Sequence, residues 1–383
     1  MKNEGKNVKS SESGEDHMNW RYQDKAYNES FKNWRRQKQN SVGFYFVEKP
    51  GRFTYRDGVG FISDYPEAHE AKAFRRAIMI LGLILVYRVA VDIFFGYLVP
   101  PIMEKLGMDI HYSFFGAIRS GNKAIMMAID FSAQLLGRIV PTALLVKHLE
   151  IPFSVMLPMR ITNKSMFGFA VPAAVFSSAV CAVMLYFYSG VLSAAGIDID
   201  HSQFLSSGSE IILLQILIVP VISEICTHGV IMQFVRQFGD GTALCITSFI
   251  IAATTYDLVY IPYAAAMSFV IGYFIIRTGS VITGIIMRVT ARGCVYLMSF
   301  LYGKAGEAYG YAPLTVFLLI ALTAGLAFTI WFLCCRSDKF TMKIRSGYMS
   351  FGRKLMETAT SVPMVIWFTL TFLATALNIK FKL

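Results

Sequence analysis

Charge is scarce in this chain. Of its 383 residues only 16% are Asp, Glu, Lys or Arg, against about 25% in ordinary soluble domains. The apolar stretches lack apolar–polar alternation, which excludes a transmembrane β-barrel. No cysteine pair has C-x-x-C spacing and no His-Cys cluster occurs, so no structural zinc site is expected. The six cysteines, Cys181, Cys226, Cys245, Cys294, Cys334 and Cys335, sit inside apolar runs and read as reduced space-fillers. The polar first 70 residues lack an apolar core segment, so no signal peptide is expected.

Hydrophobic residues, by contrast, make up 55% of the chain, and mean hydropathy is +0.50. Apolar runs of about 20 residues recur, each long enough to cross a hydrocarbon core of ~30 Å. They predict an all-α, polytopic transmembrane bundle of about nine spans. These are Ala77–Val99, Ala124–Val146, Phe167–Gly190, Ile211–Val235, Thr242–Leu258, Ile261–Ile276, Val281–Tyr302, Pro313–Cys335 and Val362–Ile379. Around them lie a polar N-terminal tail (1–76), a core (77–335), a basic loop (336–360) and a last helix (361–383). The tail's aromatic stretch from Ser41 admits three readings: a small hairpin, a bilayer-surface segment or a partner-binding segment.

The net charge is +11, but its basic residues gather in the tail and a few loops rather than on one nucleic-acid-binding face. The tail holds 15 Lys and Arg, and Arg336–Thr360 holds six with two acids. The loop between spans three and four carries Asp198, Asp200 and Glu210 without a cation. Positive charge favours the cytoplasmic side, so the N-terminus is expected inside, together with Lys147, Arg160, Lys164, Arg236 and Arg277. Membrane lipid and other proteins are the expected partners, and nucleic acid is not.

An ionisable side chain at bilayer depth is costly unless paired, so each is a candidate site. Arg88 and Asp92, at i,i+4, share a helix face and read as a structural pair. Asp130, Gln134 and Arg138 form a second four-residue series, read first as structural and otherwise as a substrate contact. The densest stretch runs from Pro220 to Cys294. VPVISEICTHGVIMQF places Glu224 and His228 one turn apart, ATTYDL ends on Asp257 and Leu258, and GIIMRVTARGC places Arg288 and Arg292 one turn apart.

This order resembles the CPBP family of intramembrane proteases, which includes CAAX-processing enzymes and bacteriocin-processing or immunity (Abi) proteins. The family's Glu-Glu-x-x-x-Arg motif is met here by Ser223, Glu224 and His228 between Pro220 and Gly229. Its Phe-x-x-x-His corresponds to Ala253–Asp257 or Ala252–Tyr256. Phe269, Gly272, Arg277, Thr278, Gly279 and Ser280 match its following helix and turn. Arg288-x-x-x-Arg292 stands where the family has His-x-x-x-Asn. The likeness covers about 85 residues, strong in framing and weak in catalytic content.

The resemblance implies a first glutamate that activates water, with His and Asn completing the site. Ser223 cannot be that base, since a general base must be titratable and within reach. A zinc site needs about three neutral-His, thiolate or carboxylate ligands, whereas guanidinium cannot be deprotonated. No metal, cofactor or catalytic residue is therefore expected. Instead Glu224, His228, Asp257, Arg288 and Arg292 are expected to form a buried charge network, either as helix glue or as an anion-accepting cavity. The leading expectation is a pseudoenzyme acting as scaffold or accessory subunit in peptide export, immunity or envelope assembly, in a bacterial cytoplasmic membrane. The alternatives are an active endopeptidase with a rearranged site and a transporter of small anions or lipid.

Overall fold

The structure is a computed structural model that describes residues 30, 33–34, 53–56, 60–63, 66–112, 118–198, 214–302, 309–340, 349–377 and 380–381. Most of the N-terminal tail, the Asp200 and Glu210 positions and residues 341–348 of the basic loop lie outside these.

Three short hairpins or strand pairs decorate a helical bundle. Strands β1 (Phe53–Arg56) and β2 (Gly60–Ser63) pair antiparallel, Phe53 opposite Ser63, so the tail's aromatic stretch contains a small hairpin. Helix α1 (Pro66–Ile93) continues through a π-helical turn, Phe94–Leu98, into α2 (Val99–Lys105). It starts before the apolar run at Ala77 because Glu70 and Arg75 are tied to the C-terminal part of the chain. Strands β3 (Ile110–Tyr112) and β4 (Ile118–Gly121) precede α3 (Lys123–Gln134), a π turn at Leu135–Ile139, and α4 (Val140–His148).

After the four-residue α5 (Phe153–Met156), helix α6 (Lys164–Ala194) forms the axis of the bundle. It packs against α10 (Ile261–Thr278), α11 (Val281–Tyr302) and α12 (Ala312–Phe340). Between α6 and α10 lie strand β5 (Ile197–Asp198), a π turn Leu214–Ile218, α7 (Val219–Glu224), a π turn Ile225–Ile231, α8 (Met232–Arg236) and α9 (Asp240–Ala253). The chain closes with α13 (Phe351–Thr360), α14 (Val362–Leu377) and β6 (Lys380–Phe381).

Three of the four π turns share a cause. Each ends immediately before Val-Pro: Val99-Pro100, Val140-Pro141 and Val219-Pro220. Proline has no N–H, and its ring collides with the carbonyl four residues back. A wider i→i+5 turn moves that carbonyl aside and keeps the helix continuous.

Among the described residues six helices are long and apolar enough to cross a membrane, and the bent pair α13–α14, at 71°, brings the count to seven. The figure of about nine needs two weaker segments as well. One runs from Lys123 to His148, its apolar run interrupted by Asp130, Gln134 and Arg138. The other is α9, a 14-residue helix that ends at Ala253 rather than Leu258. At 1.5 Å per residue α9 rises only ~21 Å, and the turn at 254–260 carries the chain back into α10.

Contacts sort the segment ends into two groups. At one end Glu70 meets Lys354 at 2.7 Å, Lys354 Nζ donates to Phe238 O at 2.6 Å, and Trp34 Nε1 donates to Leu149 O at 2.9 Å. Val281 N donates to Pro158 O at 2.9 Å, and Ser280 Oγ to Met159 O at the same distance, at that end. At the other end β5 pairs with β6, Ile197 opposite Phe381. The basic positions Lys147, Arg160, Lys164, Arg236 and Arg277 thus share one end with the first helix's start.

Candidate functional site

Glu224 ends α7, and His228 sits inside the following π turn; both are fully buried, at 0% exposure. His228 Nδ1 lies 2.7 Å from Glu224 Oε1, yet neither atom has an aligned hydrogen-bond partner. The approach is therefore a close charge contact, off the line of an Nδ1–H. On its other side His228 Nε2 meets Ser268 Oγ, on α10, at 3.3 Å. Arg288, on α11, donates from Nε to Glu224 Oε2 at 3.0 Å. Both oxygens of the carboxylate are thus occupied by side chains of this chain.

Two glycines make room for this cluster. A Cβ at Gly284 would stand 2.8 Å from Glu224 Oε1, and one at Gly272 would stand 3.2 Å from His228 Nε2. Each also meets a neighbouring aliphatic chain more closely: Ile275 Cδ1 at 2.3 Å for Gly284 and Leu244 Cδ1 at 2.6 Å for Gly272. A Cβ at either point would have to push these side chains aside, so glycine favours the close approach of α10 and α11 to Glu224 and His228. The sequence reading placed Gly272 in a motif but did not single out Gly284 or Ser268. Ser268, one turn before Gly272, has the i,i+4 spacing that would have flagged it.

The other expected members separate from this cluster. Asp257 accepts from Val259 N at 2.9 Å and so caps its own turn; among the described residues it makes no ion pair with Arg288 or Arg292. Arg288 reaches Glu224 through Nε alone and leaves Nη2 buried without a partner. Arg292 does not touch Glu224. Ser223 is half-buried, and its carbonyl accepts from Thr227 Oγ1 at 2.6 Å.

A second charged layer adjoins the first. Arg88 Nε is 3.8 Å from Asp92 Oδ2, and Tyr256 donates its hydroxyl to the same oxygen at 2.8 Å. Arg138 lies within electrostatic reach of Arg88, Asp92, Cys226 and Arg292. The Asp130 side chain lies outside the described residues. Tyr256 takes a left-handed backbone, φ 53, in the turn between α9 and α10, and its bond to Asp92 pins that turn against α1.

The donor set does not suit the family's metal chemistry. Glu224 and His228 supply two groups, and the described residues hold no cluster of three His, Cys, Asp or Glu. The third direction around Glu224 is filled by the Arg288 guanidinium, which repels a cation.

A polytopic helical bundle with apolar spans and a sealed polar centre defines an integral membrane protein. Within it, residues 207–294 match the family described as Rce1-like, type II CAAX prenyl endopeptidase Rce1-like, so this segment is similar to CAAX proteases. The matched stretch carries Glu224, His228, Ser268, Gly272, Gly284, Arg288 and Arg292 and is under a quarter of the chain. No curated protein and no solved structure matches the chain.

Proposed function

We propose that this protein is a catalytically degenerate relative of CAAX endopeptidases that serves as a scaffold or accessory subunit of a membrane assembly. The observation that carries this reading is the occupied carboxylate: Glu224 is held by His228 and Arg288. A general base must be able to accept a proton from an attacking water. His228 and Arg288 stand against the two oxygens of Glu224 in a fully buried site, and Ser223, beside it, carries no carboxylate. The setting that fits is peptide export, immunity to a secreted peptide or envelope assembly in a bacterial cytoplasmic membrane. By the positive-inside rule, the end rich in Lys and Arg faces the cytoplasm with the N-terminus.

One observation favours a second reading, an active hydrolase. Ser268, His228 and Glu224 stand in the order nucleophile, base and orienting acid, at 3.3 and 2.7 Å. Against it, all three side chains are at 0% exposure, and Nδ1 is out of line with its acid. A fluorophosphonate probe separates the two readings, together with zinc analysis and a prenylated-peptide cleavage assay on protein in mild detergent. The scaffold reading expects no labelling, no stoichiometric zinc and no cleavage. Labelling lost in Ser268→Ala, or one zinc lost in Glu224→Ala, overturns it.

A further inference from the structure

The apolar run of α1 begins at Ala77, so the residues just before it, Lys72, Arg75 and Arg76, stand where hydrocarbon gives way to headgroups. Two contacts place α13 at that depth. Arg75 forks onto Glu357, Nε donating to Oε2 at 2.6 Å and Nη2 to Oε1 at 2.5 Å. Further in, a Cβ on Gly82 would stand 2.7 Å from Pro363 Cβ, at the start of α14. Gly82 follows Ala77 by about 8 Å of helical rise. Helix α14 therefore descends beside α1 from the apolar boundary. Helix α13, bent from it by 71°, stays at the boundary and runs closer to the bilayer plane than to its normal.

Three stripes run along α13. At about 100° per residue, Lys354 and Thr358 share the buried stripe, where Lys354 pairs with Glu70 at 2.7 Å. Phe351, Leu355 and Met356 fall on one side of it, in an arc of about 140°, and all three are exposed. Arg353 and Glu357 fall on the other side. This charged flank is the one that meets Arg75, which stands on the water side of the apolar run. The apolar flank is thereby turned toward the hydrocarbon.

Charge selects the kind of lipid. From Pro66 to Arg76 and along α13, five cations stand against three acids, and two of those acids, Glu70 and Glu357, are held in ion pairs. An apolar flank with basic residues beside it is how surface helices bind anionic leaflets. We propose that α13 binds anionic phospholipid at the bilayer surface. Phe351, Leu355 and Met356 enter the boundary between headgroups and acyl chains, while Arg353, with Lys72 and Arg76 of α1, supplies the positive charge that holds the headgroups. This surface stands apart from Glu224 and does not depend on whether that residue is catalytic.

The test uses the full chain, lacking only the exposed thiols of Cys334 and Cys335, in nanodiscs of phosphatidylcholine with and without phosphatidylglycerol. Met356→Cys and Arg353→Cys each carry an environment-sensitive fluorophore. At Met356 a nitroxide on the upper acyl chain is expected to quench strongly and aqueous iodide weakly, with the reverse at Arg353. Native mass spectrometry of protein released from the mixed discs is expected to show phosphatidylglycerol retained over phosphatidylcholine. Arg353→Gln and Arg76→Gln should each lower that preference about fivefold, the effect of one cation at an anionic surface. Arg353→Lys, which keeps the charge, should preserve it, as should Lys164→Gln at the start of α6. Iodide reaching Met356 as readily as Arg353 assigns the apolar flank to water or to a soluble protein and overturns the proposal. Equal retention of the two lipids, or a preference indifferent to Arg353 and Arg76, overturns it as well.

Discussion

At the level of single residues, Glu224 is fully buried and held from two sides, by His228 and Arg288. Removing one partner of a buried pair leaves a lone charge and costs about 3–5 kcal/mol, whereas removing both costs much less. Glu224→Gln is therefore expected to lower the melting temperature in detergent, and the double variant with Arg288→Gln to recover part of the loss. Pairing Glu224→Gln with Arg353→Gln should recover none. Simple additivity in both double variants would show that Arg288 does not neutralise Glu224. Arg292→Gln is not expected to rescue, since Arg292 does not touch this carboxylate.

The glycines give an independent check on the same centre. Gly284→Ala drives a Cβ against Ile275 and Glu224, and overpacking of this kind costs about 1–3 kcal/mol. Gly293, on the same helix, has open space around it, and Gly293→Ala is expected to gain about 0.5–1 kcal/mol in helix propensity. Thermal unfolding of the two variants should move in opposite directions. Equal shifts would mean that close approach at Gly284 does not limit the site.

Among the elements, α13 shows how polar residues hold a surface helix. Lys354 is fully buried, paired with Glu70 and donating to Phe238 O, while Arg75 pairs with Glu357 at 2.5 Å. Phe351, Leu355 and Met356 on the same helix are exposed, the arrangement of a helix lying in the membrane interface. Lys354→Ala leaves Glu70 charged and buried with only Met349 N to satisfy it. Hydrogen exchange is expected to rise across 351–360 and to stay unchanged across 362–377, which packs on α1. Exchange rising equally through both helices would make α13 and α14 one cooperative unit.

Over the whole molecule, the two groups of segment ends predict opposite accessibility. Cysteine placed at Glu150 and at Met108, both exposed and at opposite ends of the α3–α4 arm, should label from opposite sides of intact membranes. A background lacking Cys334 and Cys335, which are the exposed native thiols, keeps the readout clean. Labelling of both sites from one side would remove the crossing at 123–148 and with it the nine-segment path.

The sequence alone determined the solvent and the elements. Continuous apolar runs leave the backbone no partner but its own helix in lipid, so the bundle, most of its helices and the charge on its loop ends were readable residue by residue. Spacing also marked Glu224 with His228 and Arg88 with Asp92, because i,i+4 neighbours share a face in any helix. Tertiary structure decided which helices meet. It chose Arg288 over Arg292 as the partner of Glu224, brought Ser268 to His228 across 40 residues, and turned Asp257 back onto its own loop. Periodicity cannot carry that information: it fixes the direction of a side chain about its own axis, whereas the rotation and depth of one helix against another depend on contacts such as Gly272 and Gly284, where the absence of a single carbon sets the distance.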